Sequence, residues 1–277
     1  MSTVVTEVVD PTPARALGAL LGVDVPDLET VGLPLTWHWI YFLDRPAEAD
    51  LGEDGHPIRN TLVAPAREGQ RRMWARGRVR THRPLVVGAE ATKESTIAST
   101  TQKQGGSGRL TFVTVRHRIL QGGEVAVEEE QDIVYRDRPG PGAAAASGDA
   151  IVGAEVTIDP ARHERATAIS PTLLFRFSAL TYNGHRIHYD RDYVRHVEGY
   201  PGLLTHGPLQ AMSMAEAFRL AGEAGSFTRL DYRYRLVAPL YDFQGLVAGW
   251  AQDAEGAATY VRDLAGRRTA AGVIKPA

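Results

Sequence analysis

The 277-residue chain contains no cysteine. That single absence excludes disulfides, thiolate metal sites and a cysteine nucleophile, and it suits a cytoplasmic protein. Charge of one sign is also lacking: 31 Lys and Arg against 33 Asp and Glu give a formal net charge of −2. Such a balance argues against nucleic acid or an acidic membrane surface as a partner. The most apolar early stretch, ALGALLGV from Ala16, follows acidic residues, is broken by glycine and is far too short to span a bilayer. No serine lies in a G-x-S-x-G nucleophile elbow, and QKQGGSG from Gln102 lacks the glycine-to-lysine spacing of a phosphate loop. Covalent serine catalysis and nucleotide hydrolysis are therefore not expected.

What remains is an ordinary globular composition, 43% hydrophobic and 23% charged, in a chain long enough for two domains of about 130 to 150 residues. Thr12 is placed to cap a short helix, with Pro13 at its first position and Gly22 just beyond its end. LPLTWHWIYFLD from Leu33 concentrates Trp37, Trp39, Tyr41 and Phe42, as expected of a segment laid across a core or a cavity wall. From Arg71 to Asp137 four segments alternate apolar and polar residues, joined at Pro84 to Gly88, Gly105 to Gly108 and Gln121 to Gly123. The pattern predicts an antiparallel meander with one buried face.

Residues 138 to 150, RPGPGAAAASGDA, carry little hydrophobic pattern and read as a linker between units at 1–140 and 150–277. In the second unit, HGPLQAMSMAEAFRLAGEA from His206 predicts a helix with Ala211, Ala215 and Phe218 on one face, widened by Leu209 and Met212. Three more alternating segments follow, so the second unit is a helix followed by a meander. Its front is rich in histidine: His163, His185, His188, His196 and His206 account for five of the nine in the chain. Imidazoles titrate near neutral pH, which makes the cluster a candidate acid/base site.

FSALTYNGHRIHYD from Phe177 resembles the hydratase 2 motif of MaoC-like enoyl-thioester hydratases, FAxLSGDxNPxHxD, without gaps; Phe177, Leu180, Ile187, His188 and Asp190 fall on equivalent positions. YPGLLTHGPL from Tyr200 resembles the start of the central helix in that family. With WHWIYFLD, RRMWARGRV followed by HRPL, FVTVRH and YRYRLVAPLYD, residues from about 30 to about 250 resemble the type 2 3-hydroxyacyl-thioester dehydratases and the related mesaconyl-thioester hydratases. The resemblance implies an α+β double hot-dog fold, with two antiparallel sheets each wrapped around a central helix. The implied reaction is reversible syn addition of water to a 2-enoyl thioester of coenzyme A or acyl carrier protein. No cofactor and no metal are implied, and the protein is expected as a monomer or homodimer.

By the same resemblance His188 is the acid/base, and the family's catalytic Asp falls on Asn183, an amide that cannot exchange a proton as a carboxylate does. Asn183 then either orients water or caps its loop. The backbone N–H of Gly207 is the implied oxyanion donor, His185 either binds substrate or supports His188, and His206 is implied in oxyanion or substrate binding. Asp190 receives no catalytic role, and His56, His117 and His163 read as isolated backbone-bonded histidines. Arg186, Arg233 and Arg235 are candidates for coenzyme A phosphates. A single histidine motif in the second unit leaves the first to shape the acyl cavity without catalysis. A hot-dog thioesterase and a non-catalytic thioester-binding module remain as alternatives.

Overall fold

The computed structural model describes residues 2–59, 61–67, 69–105, 108–137, 156–222 and 228–277. In chain order its elements are β1 (Ser2–Val8), α1 (Pro11–Leu21), β2 (Gln70–Thr81), β3 (Glu90–Gly105), β4 (Gly108–Gln121), β5 (Glu124–Asp137), β6 (Arg165–Thr167), α2 (Pro171–Leu180), α3 (Arg191–His196), α4 (Gly207–Leu220), β7 (Leu230–Leu236), β8 (Leu246–Asp253), β9 (Gly256–Arg262) and β10 (Arg268–Pro276). The linker expected at 138–150 lies outside the described residues.

All strand pairs are antiparallel, in the order β1-β3-β4-β5-β2-β7-β10-β9-β8-β6. Within the first five strands the order is first, third, fourth, fifth, second, and the last five repeat it in mirror sequence. This shared topology is what a duplicated unit produces. The two sheets meet at β2 and β7, so they form one continuous ten-stranded sheet. The seam pairs only Arg76–Thr81 of β2 with Leu230–Arg235 of β7. Gln70–Ala75 therefore lie beyond the β7 ladder, and this half of β2 reaches the cavity described below.

The alternation that predicts β2 to β5 is realised over 12 to 16 residues per strand. β1 was not expected; its STVVTEV adds an edge strand to β3 in register from Ser2↔Thr96 to Val8↔Glu90. The first helix starts two residues earlier than expected. Asp10, not Thr12, caps it by accepting from the Thr12 N–H at 2.6 Å, Pro11 takes the first position, and Gly22 closes it at φ 63°.

The second sheet wraps α4. Every residue from Leu209 to Phe218 is buried, so the small side chains expected on one face instead line a helix enclosed on all sides. Its buried polar groups are satisfied: Gln210 accepts from Thr269 at 2.7 Å, Ser213 donates to the Leu209 carbonyl at 2.8 Å, and Glu216 accepts from the Trp37 indole at 2.9 Å. In the first unit α1 stands at the equivalent place between first and second strands, packed against α2 and the 3-10 turn Trp37–Ile40. That turn joins the two units, since Trp37 reaches α4 while His38 and Trp39 reach Glu129 on β5.

Candidate active site

A cavity of about 1120 Å³ opens between the two units and is lined from both. Phe175, Tyr182 and Tyr189 belong to its wall and are exposed, which marks the mouth. His38, Trp39, Arg72, Trp74, His117 and Glu129 come from the first unit; Asn183, His185, His188, Gly207 and Leu236 come from the second.

The motif loop is shaped by short-range hydrogen bonds. Asn183 Oδ1 accepts from the His185 N–H at 3.0 Å, turning the chain into the 3-10 turn Arg186–His188. Its capping role is thus realised, and the acceptor atom is used there, which leaves the amide NH2 for other partners. The loop docks on residues 52–58 of the first unit: Arg186 N–H donates to the Asp54 carbonyl at 2.9 Å. Gly55 at φ 83° lies against Gly184, and a Cβ there would strike the Gly184 carbonyl, so glycine is required for this approach.

His188 is 7% exposed, and its Nδ1 meets the Leu204 carbonyl at 2.8 Å. A carbonyl only accepts, so Nδ1 carries the proton and Nε2 keeps a free lone pair. Burial pushes the imidazole down to about 4, against the opposing Leu204 bond and with a further small push from His56, so it is neutral at physiological pH. Leu204 is itself fixed by donating to the Ile187 carbonyl at 3.0 Å, which ties the two histidine-bearing segments together.

His206 departs from its expected place. It is fully buried and absent from the cavity wall, with its ring stacked on His188 at 3.5 Å between centroids and tilted against Phe177 at 4.9 Å. Its Nε2 pairs with Ser178 Oγ at 2.8 Å. His206 therefore backs His188 instead of touching a cavity ligand. His185 does line the cavity, edge-on to His188 at 5.6 Å, and burial drives it well below the usual imidazole range, followed by the charges of His56, His188 and Arg72.

Gly207 opens α4, where its N–H has no preceding carbonyl to bond and the helix dipole places partial positive charge. A Cβ at this position would clash with Leu236 Cδ1, so tight packing as well as ligand approach favours glycine. Asp190 caps α3 by accepting from the Tyr193 N–H at 2.9 Å and pairs with Arg186 at 2.7 Å.

The three arginines proposed for phosphates are not in the cavity wall. Arg186 is held by Asp190, while Arg233 and Arg235 alternate with the inward Tyr232 and Tyr234 and point to the exposed face of the sheet. His163 stacks on Trp250 at 4.7 Å and His196 is exposed on α3, both outside the wall.

Two histidines read as isolated belong to the cavity. His56 lies 3.9 Å from His185 between ring centroids and bonds Asp54 Oδ2 at 3.0 Å; His117 Nδ1 pairs with Ser95 Oγ at 2.7 Å. They stand 129 and 71 positions before His185 and His188, so nothing in the local sequence joins them to the cavity they line. Glu129 is another missed feature. Burial alone would raise its carboxyl, but the hydrogen bond and charge of His38 at 3.0 Å, aided by His117 and Gln131, hold it at about 2. Asp54, His56 and His185 place donor atoms within 4.8 Å of one another, a spacing open to a cation. The Arg72 charge acts on both histidines and opposes one, and Asp54 is already engaged by the His56 ring and backbone.

The sequence pattern of hydroxyacyl-thioester dehydratase type 2 matches residues 36–242. Over 214 residues the chain is 46% identical to mesaconyl-C(4)-CoA hydratase of Chloroflexus aurantiacus, covering 76% of this chain and 71% of that protein. HtdX of Mycobacterium tuberculosis superposes with a TM-score of 0.66 at 14% identity, covering all of both chains. A second Mycobacterium tuberculosis protein, described as having a double hotdog fold, superposes at 0.50 and 14% identity over 98% of this chain and 94% of its own. These likenesses agree with the mirrored strand order, and the fold is the double hot-dog.

Proposed function

Because the chain belongs to the hydroxyacyl-thioester dehydratase type 2 family, we propose that His188 and the N-terminus of α4 catalyse the reversible hydration of a 2-enoyl-CoA to a 3-hydroxyacyl-CoA. The protein is a hydro-lyase acting on a thioester. The observation that carries the assignment of His188 is its bond to Leu204, which leaves a neutral imidazole with a bare Nε2 in the cavity wall.

In the hydration direction Nε2 takes a proton from water as the oxygen attacks C3. Negative charge gathers on the thioester oxygen, where the Gly207 N–H and the α4 dipole stabilise it. The imidazolium then returns the proton to C2 on the same face, so one water is added and His188 ends neutral. Burial that disfavours imidazolium makes it a strong acid for that second transfer. The Asn183 oxygen holds the loop, which leaves its NH2 to orient the water in this reading, and His206 with Ser178 keeps the His188 ring in place. The first unit supplies wall and no acid/base, and the enzyme acts in the cytoplasm as a monomer or homodimer.

The test is incubation with crotonyl-CoA in deuterium oxide, followed by mass spectrometry and a thiol assay. Hydration predicts 3-hydroxybutyryl-CoA with deuterium at C2 and no free coenzyme A. Release of free coenzyme A in step with loss of substrate would instead make the protein a thioesterase.

A further inference from the structure

A water that adds to C3 has two lone pairs and two protons to place. One lone pair forms the new bond and the Asn183 NH2 is free to meet the other, while one proton goes to His188 Nε2. The second proton needs an acceptor. Asn183 cannot be that acceptor, because its oxygen is committed to the His185 N–H at 3.0 Å.

The first unit brings one to the same wall. His56 sits in a tight turn closed by the Gly52 N–H on the His56 carbonyl and the Ile58 N–H on the Asp50 carbonyl, both at 2.8 Å. Arg186 clamps this turn to the motif loop: its backbone N–H donates to the Asp54 carbonyl at 2.9 Å and its Nη1 to the Glu53 carbonyl at 3.1 Å. Asp54 then engages His56 twice. Its Oδ1 accepts from the His56 backbone N–H at 2.9 Å, and its Oδ2 meets the ring Nδ1 at 3.0 Å. A carboxylate only accepts, so Nδ1 carries the proton and Nε2 is left bare. Burial pushes the ring below its ordinary value against the Asp54 bond, with a further push from the Arg72 charge, which keeps it neutral. Among the described residues no group bonds Nε2, and the side chain lines the cavity with 19% of its surface exposed. The rings of His56, His185 and His188 follow one another along that wall at centroid spacings of 3.9 and 5.6 Å.

We propose that His56 Nε2 accepts the second O–H of the attacking water, and Asp54 is the positioning residue that keeps this nitrogen bare. This rests on the hydratase reading and adds a residue of the first unit to the same reaction. His56 takes no proton. One proton of the water passes through His188 to C2, and the other stays on the oxygen, which becomes the 3-hydroxyl still donating to His56. In dehydration His188 takes the C2 proton and delivers it to that hydroxyl, which leaves as water from the same acceptor. The water is thus held by C3, Asn183, His188 and His56, the four directions that an ordered water fills at most.

Asp54→Asn tests this without touching the ring. The oxygen of the new amide must stay on the His56 backbone N–H, so its NH2 faces Nδ1 and forces the ring proton onto Nε2, turning the acceptor into a donor. Hydration of crotonyl-CoA is expected to lose about 100-fold in kcat in Asp54→Asn and in His56→Phe, with KM within about twofold of wild type. His56→Gln, whose side-chain oxygen restores an acceptor, should recover about tenfold over His56→Phe. Nitrogen-15 NMR of the imidazoles gives a readout besides activity: Nε2 of His56 should be unprotonated in wild type and protonated in Asp54→Asn. Wild-type kcat in Asp54→Asn with Nε2 protonated would overturn the proposal, as would a rise in KM alone or a proton on Nε2 in the wild type. A wild type that does not hydrate the thioester removes the hydratase reading and this proposal with it, whereas an active wild type indifferent to Asp54→Asn removes this proposal alone.

Discussion

At the scale of single residues, the site depends on which atom of each polar group is already occupied. Asn183 shows this: its oxygen is committed to the His185 N–H, so Asn183→Asp keeps the turn while replacing the NH2 with a second acceptor. We expect Asn183→Asp to unfold within about 0.5 kcal/mol of wild type in urea, whereas Asn183→Ala loses about 1 kcal/mol with the hydrogen bond. Equal losses in both would mean that the turn does not need the side-chain oxygen. Ser178 is the analogous support for His206, and Ser178→Ala should cost about 1 kcal/mol and lower kcat with KM unchanged. These roles were only half legible in sequence. The motif exposes His188 and Asn183, but nothing local reveals that His206 is stacked behind the acid/base or that His56 joins His185.

Among the elements, α4 and the strands were the most readable because periodicity reports burial directly. β2 to β5 alternate over long stretches, and Ala211, Ala215 and Phe218 sit where helical spacing puts them. β1 was missed because a seven-residue edge strand with an exposed face has little pattern of its own. Thr12 was preferred to Asp10 as a cap because Pro11 and Pro13 both satisfy the preference for proline at a helix start. The start of α4 carries a packing test. Gly207→Ala should destabilise by about 1 to 2 kcal/mol through contact with Leu236, and Leu236→Ala in the same chain should recover part of the mutual penalty. Strict additivity of the two changes in thermal unfolding would contradict the contact.

For the molecule as a whole, the seam between β2 and β7 is what no one-dimensional pattern could supply. It turns two similar units into one sheet and brings a cavity wall from residues 38 to 136 against a motif at 177 to 190. The assembly buries several imidazoles in neutral form. His188, His185 and His206 all have their protonation disfavoured by burial, so the unfolded chain binds protons near pH 6.5 that the folded chain refuses until lower pH. Their contribution is complete above about pH 6.5 and is lost as pH falls toward about 4, the His188 value. The urea midpoint should therefore fall steadily from pH 7 to pH 4.5, and a flat midpoint across that window would contradict neutral burial.

The central claim is that a neutral His188 moves the proton of the added water. Its most direct measurement is the loss of absorbance at the enoyl-thioester band, followed for purified wild type and His188→Ala with the same 2-enoyl-CoA, with folding of the variant checked by circular dichroism. The account predicts rapid loss with wild type and a kcat reduced by about 1000-fold or more in the folded variant. Full activity in His188→Ala would contradict it and move the acid/base to another group in the cavity.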